Sequence, residues 1–170
     1  ARDTIREPFL LIESDLVFDP SLLGEMLDPD QIAVSEILPW MNGTTVTANA
    51  ALDLTDFQIG ASNISNEIYY KTVNIYSLSS ETWRSVRERL DLYIRAGRVN
   101  EYYEVVFKEL VAEGNLTFRC VKFDNNSWYE IDTLEDLQAA QILFSKPSQG
   151  VYSSPLDQEA SHASPFKELN

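Results

Sequence analysis

Hydrophobic and polar positions along the chain fall into segments of different period. Pro8-Phe9-Leu10-Leu11-Ile12 is a short, uninterrupted apolar run, the pattern of a strand covered on both faces, as in a parallel sheet packed between helices. It ends abruptly in Glu13-Ser14-Asp15. In open α/β sheets ligands bind just beyond the carboxyl ends of strands, so this acidic step lies where a site is expected. Asp19-Pro20 opens a short helix through Leu22, Leu23 and Met26, and Asp28-Pro29-Asp30 stops it. Gln31-Ile32-Ala33-Val34-Ser35 and the stretch 44–50, after the turn Asn42-Gly43, read as strands. Lys71-Thr72-Val73-Asn74-Ile75-Tyr76 alternates with period two, placing Thr72, Asn74 and Tyr76 on one face and Val73 and Ile75 on the other.

The period then lengthens to that of a helix. Ser79 or Ser80 caps a segment whose Trp83, Val86, Leu90 and Ile94 form one apolar stripe, closed by Gly97. Asn100 is the expected cap of a second helix, in which Tyr103, Val106, Phe107, Leu110 and Val111 recur at helical spacing until Gly114. Residues 116–123 and 128–131 read as strands around the Asp124-Asn125-Asn126 turn, and Leu134, Leu137, Ala140 and Phe144 mark a last helix. The order predicts an α/β domain over residues 1–144 with a mixed, mostly parallel sheet. From Ser145 onward prolines mix with serines and small polar residues, so 145–170 is expected to be a linker or extended tail.

Composition narrows the function classes. With 170 residues, 44% apolar and 24% charged, the chain is sized and composed for one folded domain. No apolar stretch approaches the ~18 residues of a membrane span, and Ala1-Arg2-Asp3-Thr4 lacks the layout of a signal peptide, so a cytoplasmic location is expected. Cys120 stands alone, which excludes an internal disulfide and a cysteine-rich zinc site; it reads as a small buried residue in a strand. The one histidine, His162, lies in the tail, leaving no base for serine–histidine or cysteine–histidine catalysis. Any chemistry must use carboxylates. The net charge of −14 excludes nucleic acid as a partner, because no basic surface can be assembled to displace its counterions. Residues 1–70 hold only Arg2 and Arg6 against 12 acidic side chains, and such an excess suits metal ions or a cationic ligand as well as plain solvation.

Two acidic clusters end strands: Glu13-Ser14-Asp15 and Glu130-Ile131-Asp132. Mg²⁺ takes one or two carboxylates together with substrate phosphates and water, so Asp15 and Asp132 at neighbouring strand ends would make a suitable site. A competing reading makes Asp132 or Thr133 merely the cap of the last helix, with Glu135 or Asp136 closing a capping box.

Three runs carry a resemblance: Lys71-Thr-Val-Asn-Ile-Tyr, Asn100-Glu-Tyr-Tyr-Glu, and Trp128-Tyr-Glu-Ile-Asp-Thr-Leu-Glu-Asp-Leu. With the Leu-Ile-Glu-Ser-Asp strand end they resemble the nucleotidyltransferases of Rossmann-like, glycosyltransferase-A-like fold. Within these the likeness, over about residues 8 to 144, is to choline-phosphate and 2-aminoethylphosphonate cytidylyltransferases. The resemblance implies Asp15 and Asp132 as catalytic Mg²⁺ ligands, and Trp40 and the 100–104 segment as parts of a pocket for a cationic amine. An ammonium is held by aromatic faces and carboxylates, and Trp40, Tyr102, Tyr103, Glu36, Glu101 and Glu104 supply both, with Glu130 of the second cluster beside them. Tyr103 and Trp40 read equally as core residues, whereas Tyr102 and Glu104 lie off the helix's apolar stripe.

The family chemistry implied is attack of a phosphate or phosphonate oxygen on the α-phosphorus of CTP, releasing pyrophosphate. The family uses a Gly-rich N-terminal loop for this, and the six glycines here are too dispersed to form one. The chain is therefore expected to be the C-terminal portion of such a domain, with a further domain beyond the tail and an incomplete sheet open to homodimerisation. The alternative is a non-catalytic amine-binding or interaction module derived from the same fold.

Overall fold

The computed structural model describes residues 4–38, 41–59 and 68–145. The strands are β1 (Phe9–Ile12), β2 (Leu16–Phe18), β3 (Gln31–Ser35), β4 (Thr45–Ala48), β5 (Leu54–Gln58), β6 (Ile68–Leu78), β7 (Arg119–Lys122) and β8 (Trp128–Glu130). A 3-10 helix covers Pro20–Met26, and the α-helices are α1 (Ser80–Arg95), α2 (Tyr103–Ala112) and α3 (Leu134–Phe144). The tail expected from 145 onward lies, beyond Ser145, outside the described residues.

β6 organises the sheet because, at 11 residues, it is long enough to take two partners end to end along one edge. On that edge β1 pairs with residues 75–78 and β4 with residues 68–71. Along the other edge runs β3, with β7 outside it, while β5 lies outside β4. The β3–β7 pair is parallel and the other four pairings are antiparallel. The sheet is mixed, as the element order predicts, but the expectation that it is mostly parallel is corrected. An uninterrupted apolar run reports cover on both faces, and both faces are covered here whatever the strand direction.

One face packs on α1 and α2 through Ile32, Val34, Phe57, Tyr76, Val86, Val106, Phe107, Leu110 and Phe118. Tyr76, Phe107 and Phe118 stack with ring centroids 5.1–5.9 Å apart, a separation suited to offset and edge-on contact. The opposite face packs Ala33, Val73 and Ile75 on Leu22 and Met26 of the 3-10 helix and on Phe123 and Trp128. The alternation read from 71–76 is therefore the division between two cores. Cys120 is buried in β7, and burial pushes its thiol up to about 12.

Helix limits differ from the sequence reading in two places. Ser79 caps α1, accepting from the Thr82 N–H, but Ile94 is 63% exposed and Tyr93 takes the core position at that end. α2 begins at Tyr103 rather than after Asn100, and Tyr102 at its cap makes no side-chain bond. Packing sets this start: the Tyr103 ring meets Tyr76 and Phe107 edge-on. Among the described residues no helix is long and apolar enough to cross a membrane.

Candidate active site

The end-to-end arrangement of β1 and β4 leaves a gap beside residues 72–74 of β6. The chain enters the gap from both sides: the Glu13 N–H donates to the Asn74 carbonyl (3.2 Å) and the Thr72 N–H to the Thr44 carbonyl (3.2 Å). Across β6, a step of two residues along β3, from Ile32 to Val34, opposes a step of four along β6, from Tyr76 to Thr72. The excess bulges, with Asn74 at φ +60°. A bulge re-aims a side chain, and asparagine tolerates the left-handed region better than most residues. The amide of Asn74 is thereby set between Glu13 Oε2 (2.8 Å) and Glu130 Oε1 (3.1 Å), while its Oδ1 accepts from the Thr72 hydroxyl (2.8 Å).

A cleft of about 370 Å³ opens at this gap, lined by Glu13, Asp15, Thr44, Lys71, Asn74, Tyr102, Glu104, Glu130 and Asp132 among others. Five carboxylates thus face one lysine. Lys71, 2% exposed, pairs with Glu130 Oε2 at 3.1 Å and donates to the Thr72 carbonyl at 3.0 Å. Gly43, at φ +92°, passes close to this ammonium; a Cβ there would lie 3.3 Å from Nζ, so a residue free of both restrictions is required. Burial raises the Glu130 carboxyl despite the neighbouring Lys71, and burial raises Glu104 likewise, helped by the charge of Glu13.

Asp15 and Asp132 line this same cleft. The β2–β8 ribbon brings them there, pairing Leu16 with Glu130, and the Ile131 N–H donates to the Asp15 carbonyl at 2.9 Å. The cap of α3 is Thr133, which forms a capping box with Asp136. Asp132 precedes the cap, so the competing reading falls on its neighbour and leaves the Asp132 carboxylate out of that role. Asp15 Oδ1 is shielded from solvent and has no hydrogen-bond partner. An unpaired hard oxygen beside a second carboxylate fits Mg²⁺, which completes its shell with phosphate oxygens and water. Among the described residues no group of three or more His, Cys, Asp or Glu could hold a metal on its own.

The remaining sequence candidates separate. Tyr102, Glu104 and Glu130 line the cleft. Glu36 lies elsewhere, in a depression with Lys122, Phe123, Asp124 and Asn125, and Glu101 pairs with Arg98 at 3.2 Å. Trp40 lies outside the described residues. Tyr103 belongs to the core through its ring in the aromatic cluster, and its hydroxyl supports the cleft wall by donating to Glu13 Oε1 at 2.6 Å. Glu13 stands in the acidic step read from the sequence, whereas Lys71 and Asn74 are site candidates that the sequence reading does not name, although polar Thr72 and Asn74 inside a strand are the signal for them.

No protein-family model matches the sequence. The chain is 30% identical over 161 residues to CMP-5'-(3-aminopropyl)phosphonate synthase of Streptomyces rubellomurinus (strain ATCC 31215), a match covering 88% of this chain and 25% of that protein. Among solved structures it is similar to CTP:phosphocholine cytidylyltransferase from Streptococcus pneumoniae, with TM-score 0.66 and 15% identity, over 79% of this chain and 56% of that one. This is the nucleotidyltransferase fold. The inositol-1-phosphate CTP transferase of T. maritima shares it, with TM-score 0.62 and 21% identity over 88% of this chain and 59% of that one. The chain spans a quarter of its curated relative and less than two thirds of either solved neighbour.

Proposed function

We propose that this chain forms the acceptor side of a cytidylyltransferase that joins CMP from CTP to an aminoalkyl phosphonate or phosphate. A phosphonate oxygen of the acceptor attacks the α-phosphorus of CTP, the bond to the bridging oxygen breaks, and pyrophosphate leaves. Asp15 and Asp132 would hold Mg²⁺, which supplies charge neutralisation on the triphosphate. Tyr102, Glu104 and the neighbouring carboxylates hold the ammonium end of the acceptor. Lys71 and Asn74 fix the orientation of Glu130 and Glu13, so the acidic wall needs no rearrangement when the ligand arrives. The observation that carries the reading is the shielded, unpaired Asp15 Oδ1 in the cleft that Asp132 shares. Similarity to a CMP-aminopropylphosphonate synthase supports the nucleotide and the acceptor class.

The test is pyrophosphate release by the protein that carries this chain, supplied with CTP, Mg²⁺ and 3-aminopropylphosphonate. Asp15→Ala and Asp132→Ala should each lower kcat/KM by about 10²–10³, the scale of losing one electrostatic stabiliser. Absence of turnover in the unaltered protein, or variants that keep its rate, would overturn the proposal. A second reading has one observation in its favour: Lys71 is the one cation lining the described cleft. If aminoalkyl compounds bind without any CTP turnover, the chain is an amine-binding module.

A further inference from the structure

Glu104 opens α2 in the cleft wall and is 5% exposed. Its Oε1 accepts a long bond, 3.5 Å, from the Thr44 hydroxyl, and its Oε2 is shielded with no partner. The neighbouring acids differ. Both Glu13 oxygens accept, from the Tyr103 hydroxyl and the Asn74 amide, and both Glu130 oxygens accept, from Asn74 and Lys71. A buried carboxylate with an empty acceptor position is costly until a donor reaches it. The unmet demand in this wall, apart from Asp15, is therefore for an N–H or O–H donor at Glu104 Oε2.

That demand distinguishes two kinds of ammonium. A primary ammonium presents three N–H donors, whereas a trimethylammonium presents none and is held by aromatic faces. Among the described residues Tyr102, 73% exposed, is the ring lining the cleft besides the carboxylates, while the Tyr103 ring is engaged with Tyr76 and Phe107. We propose that Glu104 is a specificity-determining residue that selects acceptors ending in a primary ammonium over those ending in trimethylammonium. This rests on the cleft being the acceptor site.

Calorimetric titration of the chain with 3-aminopropylphosphonate and with its N,N,N-trimethyl counterpart tests it, because the second keeps the positive charge but has no N–H donor; the N,N-dimethyl compound, nearly as bulky but with one N–H, controls for the added methyl groups. The primary amine should bind about tenfold more tightly, the worth of one charge-assisted hydrogen bond. Glu104→Gln should weaken the primary amine about tenfold and leave the trimethyl compound within about twofold. Equal affinities in the unaltered chain, no binding of either ligand, or unchanged primary-amine affinity in Glu104→Gln would overturn the proposal. If the variant does not fold, the dimethyl compound decides the matter on the unaltered chain: it should bind within about twofold of the primary amine, and binding as weak as the trimethyl compound's would overturn the proposal. The transferase reading fails separately: selective binding without pyrophosphate release defeats it and keeps the role of Glu104, whereas turnover of both amines with equal kcat/KM does the reverse.

Discussion

The two ends of α2 hold glutamates in opposite circumstances. Toward its C-terminal end Glu109 accepts from Tyr93, Arg89 and Arg98, and Glu113 beyond the last turn pairs with Arg89. Those bonds hold both carboxyls below the usual range, led by Tyr93 for Glu109 and by Arg89 for Glu113. At the N-terminal end Glu104 is buried against other acids, and its carboxyl is raised. One set of charges is answered by Arg89 of α1 and by Arg98 just beyond it, and clamps two helices. The other is left under-answered around Lys71, the one lysine among the described residues that line the cleft. Among the described residues, shielded side-chain atoms without a partner make the same point. Tyr76, Asn125 and the two tryptophan N–H groups are neutral, and the carboxylate oxygens among them are Asp15 Oδ1 and Glu104 Oε2, both in the cleft.

Breaking each region in turn sharpens the contrast. Lys71→Met removes the cation from the acidic cleft and leaves Glu130 facing Glu13, Asp15, Glu104 and Asp132. Loss of a buried partner of this kind costs about 3 kcal/mol, to be read as a lower urea midpoint at unchanged m-value. Arg89→Ala opens the clamp, but its partners Glu109 and Glu113 are 35% and 46% exposed. Water takes over part of the arginine's role, so the loss should be smaller, about 1–2 kcal/mol, with no change in amine affinity. If Arg89→Ala proves costlier than Lys71→Met, the cleft is not the strained region.

Glu104→Gln gives the smallest effect, with the opposite sign. Because the folded-state pKa of Glu104 lies above its unfolded value, the folded protein binds this proton more tightly. The stability it contributes is present below the unfolded pKa and is lost as pH rises through the folded pKa. Above the raised pKa the ionised carboxylate therefore destabilises, and there the variant should melt at a higher temperature than the parent. That advantage should shrink as pH is lowered through the raised pKa and vanish in the ordinary carboxylate range. A variant that melts lower above that pKa would mean that Glu104 is already satisfied.

Much of the fold was legible locally. The period-two run at 71–76 separates the two cores, Asp19-Pro20 opens the 3-10 helix, and Ser79 caps α1. Strand β5 went unanticipated because Leu54-Thr55-Asp56-Phe57-Gln58 places only Leu54 and Phe57 in the core, which satisfies neither simple period. Asp15 and Asp132, which line one cleft, were legible as candidates because charge following an apolar run is visible in one dimension. Glu36 carried the same mark and lies elsewhere.

What the sequence determined by itself was the identity and order of most elements, β2 and β5 excepted, since apolar periodicity is a property of neighbours along the chain. Which strands pair, and in which direction, depended on contacts between residues far apart in that order. So did the gap between β1 and β4 and the bulge that turns Asn74 toward Glu13 and Glu130. The same holds for the difference between Glu104 and Glu109. Each is a glutamate on one helix, and only the groups brought against it from other elements decide whether its charge is answered.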